Sequence, residues 1–258
     1  MPDDAIVVSG LGKVFSLNGQ NLQVLSDLNI SVRQGEFCSI IGPSGCGKST
    51  LLRILADIAS PSGGSVAILG DTPAAARRGR KLGFVFQEPA LLPWRTALQN
   101  VELPLTVLGV GRNERIARAR KMLDLVGLSD FEKARPAQLS GGMARRVAIA
   151  RSLVLEPPIL LLDEPFGGLD EITRQRMNLE LQRIWSEAKH TTAVLVTHNV
   201  GEAVFLSDRV FVMTARPGRI AAEVLIDLPR PRRLELLQEE KFFDYQRRLT
   251  RVLYVGGE

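Results

Sequence analysis

Eight consecutive residues, Gly42-Pro43-Ser44-Gly45-Cys46-Gly47-Lys48-Ser49, leave this chain few folds to adopt. They match G-x-x-x-x-G-K-[ST] at every fixed position. A strand candidate, Phe37-Cys38-Ser39-Ile40-Ile41, precedes them. A helix predicted over Ser49 to Ala59 follows, with Leu51, Leu52, Ile54, Leu55 and Ile58 on one apolar face. Glycines let such a loop curl until successive N–H groups point inward at phosphate oxygens, and the helix N-terminus adds its partial positive charge. In this pattern the Lys48 ammonium reaches the β- and γ-phosphates, and the Ser49 hydroxyl ligates Mg²⁺. Cys46 reads as a small loop residue, not a redox switch.

A nucleoside triphosphate site needs a second acidic element. Ile159-Leu160-Leu161-Leu162-Asp163-Glu164 supplies one, an apolar strand that delivers two carboxylates at its C-terminal end. Ligands of open α/β sheets bind at that edge. Consecutive strand residues point to opposite sides, so the two acids divide the work. Asp163 is assigned to Mg²⁺ and Glu164 to the water that attacks the γ-phosphate.

The rest of the chain is organised around this pair. Ile6 to Val8, Leu28 to Val32 and Phe37 to Ile41 read as strands, and Pro61-Ser62-Gly63-Gly64 turns the chain into another, Ser65 to Leu69. Helical periodicity dominates about residues 88–157, as in Ile116, Ala119, Met122, Leu123 and Val126, and in Val147, Ala150 and Val154. Ile159 to Leu162, Ala193 to Thr197 and Val210 to Met213 are nearly all apolar, as strands covered on both faces are. Between the first two lies a helix with Ile172, Met177, Leu181, Ile184 and Ala188 on one face, which makes a βαβ unit. Leu234 to Tyr254 reads as an amphipathic surface helix. The expected fold is α/β: a P-loop NTPase core of mainly parallel sheet, an N-terminal antiparallel β part and an inserted helical subdomain. Residues 1–87 and 158–230 would form the core, 88–157 the helical subdomain and 231–258 a helical tail.

Composition excludes several classes. With 258 residues, 45% hydrophobic and 24% charged, the chain can bury a full core. The two cysteines, Cys38 and Cys46, have no C-x-x-C spacing, and with only two histidines the chain lacks the roughly four closely spaced ligands of a structural zinc site. The longest charge-free stretches, Val14 to Ser26 and Ile58 to Gly70, have 13 residues each, short of the roughly 20 that a membrane span needs. No basic region followed by an apolar run opens the chain, so a cytosolic protein that docks on membrane-embedded partners is expected. The balance of 33 basic and 28 acidic residues is mild. Arg112, Arg115 and Arg118 share a helix face that reads as solvated, and with aromatics at 5% no nucleic-acid groove is expected.

Five further elements occur in a fixed order. Gln87 follows Phe84-Val85-Phe86; Leu139-Ser140-Gly141-Gly142-Met143 comes about 20 residues before Asp163; Gly167-Gly168-Leu169-Asp170 follows Glu164; His198 follows the strand Ala193 to Thr197; and Phe15 lies near the start. With these residues the chain resembles ATP-binding cassette ATPases along nearly its whole length. The resemblance implies ATP and Mg²⁺ as cofactors, with ATP cradled by Gly42 through Thr50 and adenine stacked on Phe15. It implies catalytic roles for Glu164, His198 and Gln87, with Gln87 also at the metal beside Ser49 and Asp163. It further implies that two copies face each other head to tail. Ser140, Gly141 and Gly142 then offer helix-opening donors to a γ-phosphate on the opposite copy, and Asp170 bridges the halves. Met143 stands where many members have glutamine, Gly167 where serine is commonest and Asn199 where aspartate is frequent; none is a group assigned to phosphate or metal. His190 reads as a surface residue.

Leu92 to Val101 and Ala215-Arg216-Pro217-Gly218-Arg219-Ile220 are similar to the nitrate, sulfonate and taurine branch of importers. That likeness implies separate permease subunits, gripped through residues 88–105 at the cytoplasmic face of the membrane. It implies an external solute-binding protein and a small anionic cargo. The competing class, a soluble cassette ATPase acting on nucleic acid or the ribosome, usually carries a coiled coil or a second cassette that 258 residues do not accommodate.

Overall fold

The computed structural model describes residues 4–17, 19–188 and 191–255. In chain order the first part comprises β1 (Asp4–Leu17), β2 (Gln20–Arg33), β3 (Phe37–Ile41), α1 (Lys48–Leu55), β4 (Gly63–Ile68), α2 (Pro73–Arg78) and β5 (Leu82–Val85). Four helices follow: α3 (Ala97–Val101), α4 (Leu103–Val107), α5 (Arg112–Leu125) and α6 (Gly141–Leu153). The chain then alternates through β6 (Ile159–Asp163), α7 (Glu171–Glu187), β7 (Thr192–Val196), α8 (Val200–Leu206) and β8 (Arg209–Met213), and closes with β9 (Ile220–Leu225) and α9 (Glu240–Val255).

Two sheets result. β2-β1-β4 is antiparallel. The larger sheet has the order β5-β6-β7-β3-β8-β9, parallel throughout except for β9. Every residue of β3, β6, β7 and β8 is buried. Alternation explains why these strands read as unbroken apolar runs. Phe37, Leu160, Leu162, Leu195 and Val212 pack to one side with the helices. Cys38, Ile40, Leu161, Val194, Val196 and Phe211 pack to the other, with α1 and the antiparallel sheet. One sheet therefore serves two cores. Leu51 and Leu52 of α1 are fully buried in the second, each stabilising the fold by about 2 kcal/mol.

Two apolar faces differ from the sequence expectation. α1 ends at Leu55, and Asp57 takes a left-handed φ of 56°, which turns the next residue off the face; Ile58 is 52% exposed. Ile172 is 66% exposed, because it lies in the first turn of α7 ahead of the buried stripe Met177, Leu181 and Ile184. The arginines of α5 do more than face solvent. Arg115 pairs with Glu102, Arg118 donates to the Val154 carbonyl, and Arg120 pairs with Glu132. They tie the helices between β5 and β6 to one another. Leu234 to Tyr254 is divided into a short 3₁₀ turn, Leu234–Gln238, and α9, which buries Phe242 and Leu249. Arg232 anchors this tail. It is buried, donates to the carbonyls of Val204 and Phe205, and burial lowers its pKa to about 10.

Candidate active site

The C-terminal ends of β3 and β6 bring the two acidic and basic motifs into one cleft of about 750 Å³. Its walls include Ser44, Gly45, Gly47, Lys48, Ser49, Thr50, Gln87, Glu164 and His198. The loop from Gly42 to Gly47 runs from β3 into α1, and Gly47 holds the tightest point. Its φ is 106°, and a Cβ there would stand 2.6 Å from a Leu25 methyl. Any side chain would strain the backbone and displace β2. Lys48 is buried, and its ammonium donates to the carbonyls of Gly42 (2.8 Å) and Pro43 (2.9 Å). The cation is thus held within the loop that would surround a phosphate. Cys46 is buried, with its thiol pushed up by burial, so it resists forming the reactive thiolate.

Asp163 and Glu164 do diverge. Asp163 accepts a 2.7 Å hydrogen bond from the Ser49 hydroxyl, and burial raises its carboxyl against that bond. Two hard oxygens this close, one on a carboxyl short of compensating charge, suit a divalent cation such as Mg²⁺. Glu164 leaves β6 with a left-handed φ of 43°, an unusual backbone for this residue type. That turn carries its carboxylate to 3.0 Å from His198 Nδ1. With Glu164 ionised, Nδ1 is the protonated nitrogen. His190 lies outside the described residues.

His198 is braced on both sides by a ring of three hydrogen bonds that motif reading did not identify. Thr197 Oγ1 donates to Glu202 Oε2, the Asn199 N–H donates to Thr197 Oγ1 (3.0 Å), and the Glu202 N–H donates to Asn199 Oδ1 (2.8 Å). Asn199 and Glu202 stand three apart at the start of α8, and that N-cap spacing was the available signal. Glu202 is buried, and burial lifts its pKa to about 7. Asn199 thus acts as a helix cap, a job that asparagine and aspartate do equally well.

The remaining expected residues lie at the edges or elsewhere. Phe15 is 38% exposed and pairs in register with Leu22, which lines the cleft with Val24. Residues directly opposite on antiparallel strands share a face, so the ring sits beside the cleft mouth. Lys13 caps that ring at 4.7 Å. Ser140 is the N-cap of α6 and accepts from the Met143 N–H, with Gly141 and Gly142 in the first turn. Asp170 caps α7 through the Thr173 N–H, and hydrogen bonding to Thr173, first to its side chain and then to its backbone, holds its carboxyl below the usual range. None of Ser140, Gly141, Gly142 and Asp170 lines the cleft of its own chain. Arg151 of α6 donates to the carbonyls of Pro89 and Ala90 (2.8 Å each), which joins that helix to the loop carrying Gln87.

Comparison with known proteins agrees with this geometry. Residues 25–167 match the family model described as ABC transporter. The chain is 40% identical over 252 residues to the nitrate import ATP-binding protein of Synechocystis, covering 95% of this chain and 94% of that one. It is 46% identical over 216 residues to the taurine import ATP-binding protein of Pseudomonas aeruginosa (84% and 81% covered). It is 38% identical over 252 residues to an aliphatic sulfonates import ATP-binding protein of Bacillus cereus (98% and 97% covered). A dimeric ATP-binding cassette solved in a post-hydrolysis state with ADP and Pi superposes with a TM-score of 0.75 at 34% identity, covering 87% of this chain and all of that one. The chain belongs to the ABC transporter family as an ATPase that uses ATP with Mg²⁺, and it resembles the ATP-binding subunits of nitrate, sulfonate and taurine importers.

Proposed function

We propose that two copies of this chain close head to tail on two ATP molecules, and that the closure and subsequent hydrolysis drive import of a small anionic solute through separate permease subunits. The observation that carries this reading is the split of the machinery. Lys48, Ser49, Glu164 and His198 line one cleft, with Asp163 bonded to Ser49 behind it, while Ser140, Gly141 and Gly142 at the opening of α6 line none of it. A second copy supplies that helix end to the γ-phosphate, with Asp170 between the halves.

Within each half, Gly42 to Thr50 hold the phosphate chain and Phe15 stacks on the base. Ser49, Asp163 and Gln87 would hold Mg²⁺, which would supply charge neutralisation to the phosphates. Glu164 takes a proton from water as its oxygen bonds to the γ-phosphorus and the bond to the β–γ bridging oxygen breaks, leaving ADP and phosphate. His198 orients that carboxylate, and the three-bond ring holds the backbone on either side of His198. Residues 1–87 and 158–230 act as the nucleotide core, 88–157 as a helical arm and 231–258 as a tail.

Coupling runs through the arm. Arg151 joins the Gln87 loop to α6, so a shift at Gln87 reaches the helix that serves the opposite site. Asn100 is fully buried and bonds with Leu92, Arg95 and Thr96, which makes the loop before α3 rigid while leaving Trp94 68% exposed. An exposed aromatic on a stiff loop suits a docking groove for a permease helix within residues 88–105. In this reading the chain works at the cytoplasmic face of the membrane, beside permeases that receive cargo from an external binding protein. The relatives' printed substrates support nitrate, an alkanesulfonate or taurine as that cargo. Uptake of the three labelled solutes tests the reading in cells that carry the chain or its Glu164→Gln variant. Loss of uptake for one solute is expected; unchanged uptake of all three contradicts the import role.

A further inference from the structure

The Ala215 to Ile220 segment, singled out above only for its likeness to one branch, packs closely against the phosphate loop. Thr214 closes the turn: its N–H donates to the Arg219 carbonyl (2.9 Å), and its hydroxyl accepts from the Arg219 N–H (3.0 Å). The turn is then tied to β2, with the Gly218 N–H on the Val24 carbonyl (2.9 Å), the Ser26 N–H on the Gly218 carbonyl (3.1 Å) and the Arg219 side chain on the Ser26 hydroxyl. Gly218 lies so near the loop that a Cβ would stand 2.2 Å from the Cys46 carbonyl oxygen. A turn anchored at Thr214, Gly218 and Arg219 thus carries one side chain, Arg216, over Gly45. Its guanidinium nitrogen is 3.2 Å from where a Gly45 Cβ would lie, and Arg216 lines the same cleft as Lys48, Ser49, Glu164 and His198.

The guanidinium is unspent. Arg209 at the start of β8 and Arg230 beyond β9 pair with Glu36 and Asp208, whereas Arg216 makes no ion pair among the described residues. An arginine fork held beside a loop of inward N–H groups matches phosphate geometry, which it can contact with two parallel bonds. We propose that Arg216 is a phosphate-binding residue for the nucleotide held by Gly42 to Thr50, a second cation opposite Lys48 that the short motifs do not encode. The proposal rests on the reading of that cleft as the ATP site.

Displacement of a fluorescent ATP analogue by ATP, ADP and adenosine tests it, in the Glu164→Gln background so that ATP persists. Arg216→Ala is expected to weaken ATP and ADP about tenfold, the worth of one charge-assisted contact, and to leave adenosine unchanged. Arg216→Lys should recover part of that loss, and Arg219→Ala should lose little. The salt dependence of ATP binding should become shallower in Arg216→Ala. ATP binding unchanged in Arg216→Ala overturns the proposal, including the case in which Arg216 serves only the opposite copy. Equal weakening of adenosine also overturns it, since the effect is then a displaced hairpin. Lys48→Ala separates the two levels: if it too leaves ATP binding intact, the cleft itself has been misread.

Discussion

The two walls of the cleft are built by different rules. One wall is the edge of the parallel sheet, where Glu164 and His198 follow buried strands, Lys48 and Ser49 open α1, and Asp163 at the end of β6 bonds to Ser49. The other is the β1–β2 ribbon and the β8–β9 turn, which present Leu22, Val24 and Arg216, with Phe15 at the rim. On the first wall each group has a fixed distance to meet: 2.7 Å from Ser49 to Asp163 and 3.0 Å from Glu164 to His198. Backbone strain at Glu164 and close packing at Gly47 are accepted to meet them. On the second wall an apolar surface and one long cation suffice, and many sequences satisfy that. The contrast predicts that changes on the first wall alter the chemical step by orders of magnitude, and that changes on the second alter affinity by small factors.

The largest expected effect is at Glu164. Glu164→Gln keeps the volume and hydrogen bonding but removes the base, so phosphate release should slow by about 10²–10⁴-fold while ATP binding holds. A near-normal rate would break the contrast at its strongest point. Next is Lys48→Ala, which removes the buried ammonium. Binding of ATP should weaken by about 10–100-fold, more than for any single change on the opposite wall, as measured by equilibrium titration. A smaller loss than in Arg216→Ala would reverse the order of the walls.

The smallest effect sharpens the account of how the first wall is braced. Glu202 has a folded-state pKa of about 7 against an ordinary value of 4.5. The folded chain therefore holds a proton there that the unfolded chain gives up. Stability contributed by this group is full below pH 4.5 and is lost as the pH rises to about 7, by at most about 3 kcal/mol. Glu202→Gln, neutral throughout, should flatten that part of the profile of melting temperature against pH. An unchanged slope would show that Glu202 does not titrate there.

Legibility in the sequence follows the same division. The first wall can be read because its chemistry demands particular atoms at particular spacings along a short stretch, as in Gly42 to Ser49 and Asp163-Glu164. The parallel strands can be read for a related reason, since burial on both faces leaves no polar interruptions. Ile58 and Ile172 were placed inside by periodicity and lie outside. Periodicity does not register a left-handed Asp57 or a helix whose first turn projects beyond its packed stripe. Arg216 and the Thr197–Asn199–Glu202 ring were not legible as parts of the site. Each works only after β8, β2 and the phosphate loop, or β7 and α8, have been brought together by the fold. The α5 arginines illustrate the converse, for in a stripe that reads as solvated Arg115 is spent on Glu102 and Arg118 on the Val154 carbonyl.

The central claim is that one chain is half of each site. Analytical ultracentrifugation of the Glu164→Gln variant with ATP and Mg²⁺, beside the Glu164→Gln/Ser140→Arg double variant, tests it most directly. The account predicts that ATP shifts the single variant from the 28.3 kDa chain to a dimer of twice that mass, that ADP does not, and that the double variant binds ATP yet stays monomeric. A single variant that binds ATP and remains at the monomer mass, or a double variant that dimerises as well as its parent, would contradict it.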